Sequence, residues 1–184
     1  VGERAWIAPA LEMKYDDTTT VYITGTLFDV TEKGLITFGK SSLADAVKAW
    51  PHYLVFSALM KKVDMPFGDD LLFMKDGAKK EPFFDDPEPL LRAVIRYYLL
   101  CQENMSPLIP DVLDSMVGGD TVKAQNTLMN YIQGVGKWNS YATWIMDEEE
   151  TVAKEAVTAW FDEGKGVFEE IAAGWFPRKK GGRR

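Results

Sequence analysis

The chain has 184 residues, 46% of them hydrophobic and 12% aromatic, and carries a formal net charge of −7. This length allows one domain with a sizeable core, the composition excludes a disordered chain, and no apolar run is long enough to predict a membrane span. Residues 1–177 hold sixteen basic against twenty-eight acidic residues, a net charge of −12, which weighs against a general DNA-binding surface and favours a domain that docks on other proteins.

The first forty residues predict strands. Ala10–Tyr15 alternates apolar and polar residues, and Val21–Thr31 is rich in β-branched and aromatic residues. A tight turn follows, in which Gly34 supplies a positive φ, and Leu35–Lys40 is the return strand. We expect these segments to form one meander of two or three strands.

The pattern then changes to a helical period. Apolar residues recur at helical spacing from Ser42 to Leu59, and Pro51 is expected to kink or divide this helix. Asp70–Asp76 predicts a further strand that ends in a hairpin turn at Asp76 and Gly77. Asp86 and Pro87 then open a second long helix, whose apolar stripe is Leu90, Leu91, Val94, Tyr97, Tyr98 and Cys101.

Helices dominate the back half. Pro107 and Pro110 are expected to end the second helix and open a loop, and a third helix begins at Asp120 or Thr121 and runs to about Gln133. Two more helices are predicted near Trp138–Met146 and over Glu149–Trp175, the last with a break at Gly164–Gly166. The fold class is therefore α/β (α+β), a small mixed β-sheet flanked by helices, with extra C-terminal helices.

The two ends of the chain differ from its body. The first residue is Val1 rather than Met, so we expect a fragment of a longer protein or a processed chain without a signal peptide. Residues 1–177 are predicted to be one domain and residues 178–184 a basic tail, either solvated or in contact with phosphate or a partner. The basic residues of the tail are Arg178, Lys179, Lys180, Arg183 and Arg184.

Few residues suit the common catalytic and metal sites. Cys101 is the only cysteine and His52 the only histidine, so a zinc site or a Ser-His-Asp triad is not expected. One cysteine also indicates a reducing compartment, hence a cytoplasmic location. We interpret His52 as a surface or half-buried helix residue.

One segment has the order of a metal-dependent nuclease site. Gly25 lies near the end of one strand and Phe28 follows it, while Phe38 and Lys40 lie two residues apart on the next strand. This pattern resembles the PD-(D/E)XK nucleases, in particular their RecB-like branch. The resemblance implies an Asp at position 28 and a carboxylate at position 38, which would converge with Lys40 on Mg²⁺ because alternate strand residues face one side.

Both carboxylate positions hold phenylalanine, and only Lys40 remains. Phe28 and Phe38 offer no oxygen to a cation, so we expect no metal, no cofactor and no catalytic residue, and we interpret both rings as core. Asp29 is adjacent, but strand alternation predicts that it faces the opposite side. The following helix of the family carries a Gln-x-x-x-Tyr pair, to which His52 and Phe56 are a distant parallel. Lys40 is interpreted as a solvated charge or a phosphate or partner contact.

The degenerate pattern is most similar to the C-terminal domain of the RecC family, the gamma subunits of exodeoxyribonuclease V, over residues 21–175. The residues that carry this similarity follow in order: Ser42, Trp50, Leu54, Val55, Ala58, Tyr98, Asn104–Leu108, Lys123, Ala124, Tyr131, Gly134 and Trp144. The resemblance implies a restriction-endonuclease-like core without a working nuclease site. It also implies assembly with RecB-like and RecD-like subunits, and DNA reached through that complex, with no membrane partner.

Two other functions stay open. An active PD-(D/E)XK exonuclease could have a migrated metal site built from Glu12, Asp29 or Glu32 around Lys40. The acidic body also fits a protein-interaction module without a role on DNA.

Overall fold

The computed structural model describes residues 5–38, 43–75, 78–81, 84–103, 110–117, 119–132 and 154–175. Within these ranges the chain is a mixed α and β protein with a two-stranded sheet, a four-stranded sheet and five helices. The predicted mixed class is thus confirmed. No helix in the same ranges is both long and apolar enough to cross a membrane.

The two-stranded sheet is an antiparallel hairpin of β1 (Trp6–Lys14) and β2 (Thr20–Leu27). Its turn is held by Asp16, whose Oδ1 accepts hydrogen bonds from the backbone N–H groups of Thr18 at 2.8 Å and Thr19 at 2.7 Å. The Thr18 backbone bond is the main reason that the pKa of Asp16 lies below its usual value. These bonds close the turn that joins β1 to β2.

The four-stranded sheet has the order β3-β4-β5-β6, with β3 at Val30–Thr31, β4 at Gly34–Phe38, β5 at Asp70–Lys75 and β6 at Ala78–Lys80. β4 and β5 are parallel, and the other two pairs are antiparallel. Asp76 and Gly77, the predicted hairpin turn between β5 and β6, lie outside the described residues.

The predicted single meander is wrong. The expected strand over residues 21–31 is divided between β2 and β3, which belong to different sheets. The division falls at Asp29, whose φ of 60° no extended strand adopts. A hydrogen bond of 3.0 Å from the Ile36 backbone N–H to the Asp29 carbonyl holds this residue beside β4.

Gly34 has the positive φ that the turn predicts, 136°. A Cβ at this position would collide with the backbone of Asp70 on the neighbouring strand. Only glycine therefore lets β4 approach β5 at the start of their parallel pairing.

Helix α1 (Leu43–Lys62) connects these two parallel strands and contains Pro51 in its interior. The helix continues through the proline, so the predicted division does not occur. Its buried side is large and aromatic, with Trp50, Tyr53 and Phe56 almost fully covered. The free energy gained by burying these three side chains exceeds the cost of the backbone hydrogen bond that Pro51 cannot donate.

Helix α2 (Pro87–Glu103) begins where predicted. Asp86 caps it by accepting a hydrogen bond from the Glu88 backbone N–H at 3.3 Å. Ion pairs join the end of α1 to this start, Lys61 to Asp86 at 3.3 Å and Lys62 to Glu88 at 2.8 Å. The predicted apolar stripe is wrong at Tyr98, which is exposed.

The remaining helices are α3 (Pro110–Val117), α4 (Thr121–Ile132) and α5 (Lys154–Trp175). α4 is capped as predicted by Asp120, which accepts from the Lys123 backbone N–H at 2.9 Å. The loop expected to open at Pro110 is wrong, because that proline is instead the first residue of α3. The break expected at Gly164–Gly166 is also wrong, since α5 runs through both glycines. The helix predicted at residues 138–146 lies outside the described residues.

The chain forms two compact units, residues 1–96 with 170–184, and residues 97–169. Both sheets, α1 and the residues discussed as a site below belong to the first unit. Buried residues of the second unit include Val112, Met116, Ala124, Leu128 and Phe168. The assignment of residues 1–177 to one nuclease-like domain stays a prediction.

Candidate functional site

A groove of about 260 Å³ lies at the end of the four-stranded sheet, where the nuclease pattern places its site. We call it the Phe28–Phe38 groove. Its lining residues come from the chain after β2, from β4, from β5 and from α1: Phe28, Asp29, Thr37, Phe38, Asp45, Lys48, Ala49, His52 and Phe73.

The backbone at Asp29 brings two consecutive side chains to this groove. Strand alternation predicts that Phe28 and Asp29 face opposite sides, but both line the groove. The expectation fails because β2 ends at Leu27 and the φ of 60° at Asp29 turns the chain before β3 begins. Asp29 is thereby added to the site.

The sheet supplies the next part of the lining. Phe38 is the last residue of β4, and Thr37 is paired in register with Phe73 of the parallel strand β5. Phe73 is only 1% exposed and closes the groove from below with an apolar surface.

Helix α1 adds His52 to the lining, together with Asp45 and Lys48, which the sequence pattern did not single out. Asp45, Lys48 and His52 are three and four residues apart and so share one helix face. This spacing, on a helix that directly follows the Phe38 strand, is the signal that could have identified them.

The prediction that Phe28 and Phe38 belong to the core is wrong. Phe28 is 55% exposed and Phe38 is 64% exposed. Phe28 lies outside the regular pairing of β2, and Phe38 is at the end of its strand, where the sheet no longer shields it. The two rings are therefore exposed at the groove and are not part of the core.

Other predicted site residues cannot be compared with this geometry. Lys40 and the basic residues Arg178, Lys179, Lys180, Arg183 and Arg184 lie outside the described residues. Their assignment as phosphate or partner contacts stays a prediction.

One buried hydroxyl lies beneath the site. Tyr53 of α1 donates a hydrogen bond of 2.8 Å from its hydroxyl to the carbonyl oxygen of Leu72 on β5. Burial raises the pKa of Tyr53 to about 12, and the negative charge of Asp29 adds to the increase. This bond fixes the helix face that carries Lys48 and His52 against the sheet.

The carboxylates near the groove do not form a metal-binding set in the described part of the chain. No group of three or more Asp, Glu, His or Cys side chains there is arranged to hold a cation. Asp29 and Asp45 line the groove, whereas Glu12 on β1 and Glu32 in the turn before β4 do not. Of Glu12, Asp29 and Glu32, the carboxylates considered for a migrated metal site, only Asp29 lines the groove.

A second, smaller cavity of about 160 Å³ adjoins the first at His52. It lies between the hairpin and α1, and its lining is mainly apolar: Ala8, Ile23, Thr24, Gly25, Thr26, Leu27, Pro51, His52 and Val55. His52 is exposed, as predicted. The groove and this cavity together present apolar and aromatic surface with a few charges, an arrangement suited to binding.

No family model, curated protein or solved structure matches this chain. The resemblance to the PD-(D/E)XK nucleases therefore stays a prediction from the motif.

Proposed function

We propose that this chain is a non-catalytic, nuclease-like domain of a RecC-type subunit in a helicase–nuclease that processes double-strand breaks. In this role it takes part in subunit assembly and in handling a DNA strand, in the cytoplasm, beside RecB-like and RecD-like subunits. The observation that carries the proposal is that Phe28 and Phe38, which replace the two expected carboxylates, line one groove.

The chemistry of the groove supports a binding role. Two rings that are more than half exposed offer faces for apolar contact or stacking and no oxygen for a cation. The order β4, α1 and then β5 parallel to β4 supports the proposal, whereas β2, the strand before Phe28, pairs in the other sheet. A restriction-endonuclease-like core is part of this proposal.

One observation favours the alternative of an active exonuclease with a migrated site. Asp29 and Asp45 line the same groove, and Lys48 lies one helical turn from Asp45. Two carboxylates and a lysine are the residue types that such a nuclease uses. Against this alternative, no three Asp, Glu, His or Cys side chains of the described residues are arranged as a group that could hold a cation.

Restoring the carboxylates tests the assignment of the two positions. The double variant Phe28→Asp/Phe38→Glu should bind Mn²⁺, measured as loss of the free-ion electron paramagnetic resonance signal on titration. The control Phe28→Asn/Phe38→Gln has a similar shape without the charges and should not bind. Both variants should keep the fold by circular dichroism, because the replaced rings are exposed. Equal binding by both variants, or by neither, would contradict the assignment.

A cleavage assay separates the two nuclease-related functions. The unsubstituted chain, given Mg²⁺ or Mn²⁺, should leave labelled single- and double-stranded DNA intact. Cutting that is abolished by Asp29→Ala or Asp45→Ala, and kept in Glu12→Ala, would establish the migrated site instead.

Co-purification tests the proposed assembly. The polypeptide that contains this chain should be recovered with RecB-like and RecD-like subunits, and Phe28→Ala/Phe38→Ala should reduce their recovery. Recovery only with proteins that have no role on DNA would favour the interaction-module alternative, for which the acidic body is the supporting observation.

A further inference from the structure

A second groove, apart from the site described above, lies between the ends of two helices of the first unit. It measures about 360 Å³. The start of α2 and the residues before it contribute one wall, and the last turns of α5 contribute the other: Phe84, Asp85, Asp86, Pro89, Leu90, Glu170, Ala173 and Gly174. We call it the acidic groove.

The acidic groove combines an apolar floor with negative charge. Phe84 is half-buried, and its ring meets that of the buried Trp50 edge-on at 5.4 Å between centroids. Asp85 and Glu170 are exposed on opposite walls, while Asp86 caps α2 and is paired with Lys61. A long basic side chain fits such a surface, because its stem covers apolar atoms and an aromatic ring while its charge meets carboxylates.

Helix α5 adds to the negative potential. Its C-terminal end forms part of the groove wall, and its last turn contains no basic residue. The carbonyl groups at a helix C-terminus favour cations, so this end attracts a positive charge that the helix itself does not supply.

The chain carries a matching segment directly after this helix end. Gly174 lines the groove, and Arg178 is only four residues further along, a reach of at most about 14 Å for an extended chain. Residues 178–184 contain five basic residues and no acidic ones. The short connection gives the segment a high effective concentration at the groove.

We propose that residues 178–184 bind in the acidic groove of the same chain. The basic side chains of the segment pair with Asp85 and Glu170 and cover Phe84. Binding in the groove and contact with phosphate use the same cations, so the two exclude each other. Nucleic acid or an anionic partner then has to displace the segment before it can use these charges.

A spin label on the segment tests the proposal in the full chain. Cys101→Ser removes the native thiol, and Gly182→Cys accepts a nitroxide without changing the charge. The label should broaden the amide signals of residues 84–86, 88, 90 and 173–174, and reduction of the nitroxide should restore them. Broadening centred on the Phe28–Phe38 groove, or spread evenly over acidic surfaces, would refute the proposal.

Matched charge variants give the second measurement. Asp85→Asn/Glu170→Gln should lower the ratio of bound to free segment by about fivefold or more, since each exposed pair contributes modestly. The control Glu12→Gln/Asp17→Asn removes the same charge from the hairpin and should leave the broadening unchanged. Equal losses in the two variants would indicate attraction to the acidic body as a whole and would overturn the groove assignment.

A third variant leaves the groove untouched. Arg178→Gln/Lys179→Gln/Lys180→Gln should abolish the broadening without altering the folded body. Salt at about 0.5 M should also weaken it strongly, because the screening length then falls to a few ångströms. Broadening that persists in this variant would contradict the proposal even if the groove variants failed to fold.

Discussion

At the scale of single residues, Tyr53 shows how the site is held in place. Its hydroxyl is buried and donates to the Leu72 carbonyl at 2.8 Å, which joins α1 to β5. A buried carbonyl that loses its donor has no water to replace it. Removing the donor therefore costs more free energy than the net value of an ordinary hydrogen bond.

Tyr53→Phe should therefore lower the free energy of unfolding by about 1–2 kcal/mol. The ring remains, so the loss comes from the hydrogen bonds of the hydroxyl, to the Leu72 carbonyl and to Thr37. Urea denaturation followed by far-ultraviolet circular dichroism measures it. Tyr22→Phe is the control, because Tyr22 is 61% exposed and its hydroxyl is accessible to water. Equal losses in the two variants would contradict this role of the buried bond.

The same hydroxyl should make stability depend on pH at the alkaline end. Folding raises the pKa of Tyr53 from 10.0 to about 12, mainly by burial, so the folded state keeps a proton that the unfolded state releases. The raised pKa of Tyr53 contributes about 2–3 kcal/mol to the free energy of unfolding. This contribution is complete below pH 10 and is lost as the pH rises towards 12. The stability advantage of the unsubstituted chain over Tyr53→Phe should therefore fall to zero and change sign over this interval; a constant difference would contradict it.

At the scale of elements, the two glycines of α5 explain why the predicted break is missing. Gly164 lies against the rings of Phe168 and Tyr97, where an added Cβ would come within 2.6 and 2.9 Å of ring carbons. Gly166 has open space at the same position. The first glycine is required by close aromatic contact, and the second only lowers the helix propensity.

These two positions should respond to alanine in opposite directions. Gly166→Ala should raise the free energy of unfolding by about 0.5–1 kcal/mol through helix propensity. Gly164→Ala should lower it by about 1–3 kcal/mol, because the new methyl group collides with packed rings. Urea denaturation of both variants gives the comparison directly. If Gly164→Ala is as stable as Gly166→Ala, the aromatic contact does not constrain this turn.

Elements with a strong local signal could be predicted from the sequence. Asp86 and Pro87 define the start of α2, and Asp120 defines the start of α4, because capping chemistry is local. The break between β2 and β3 could not be predicted, because it accompanies a φ of 60° at Asp29 and a backbone hydrogen bond from Ile36 on the next strand. Pro110 was misassigned because proline suits both the end of one helix and the beginning of another.

The candidate site was predictable in part. Phe28 and Phe38 were placed together from their spacing, and the structure puts both at one groove. Their exposure could not be predicted, because it depends on what covers the end of the sheet rather than on residue type. Asp45 and Lys48 could have been found from helical spacing alone.

At the scale of the whole molecule, charge is separated between an acidic body and a basic end. Residues 1–177 carry −12 and residues 178–184 carry +5. The last seven residues are therefore the part of the chain whose net charge attracts a polyanion, whereas the net charge of the rest repels it.

Binding to single-stranded DNA should thus depend on the last seven residues and on the acidic groove. Removing residues 178–184 should abolish binding in fluorescence anisotropy at about 0.05 M salt, because only the net negative body remains. Asp85→Asn/Glu170→Gln should tighten binding more than Glu12→Gln/Asp17→Asn, since it releases the segment as well as removing charge. Binding that survives the truncation would place the DNA contact elsewhere, with the Phe28–Phe38 groove as the first place to examine.

The separation of the hairpin from the larger sheet has a consequence for how the protein exchanges its amide hydrogens with solvent. β1 and β2 pair only with each other among the described strands, whereas β4 and β5 have a paired neighbour on both sides. Every second amide of the hairpin points outward, away from its partner strand, and should take up deuterium within the dead time of a manual experiment. The amides of β4 and β5 should be the last to exchange, so a slow protected core would coincide with the parallel pair that Gly34 brings together.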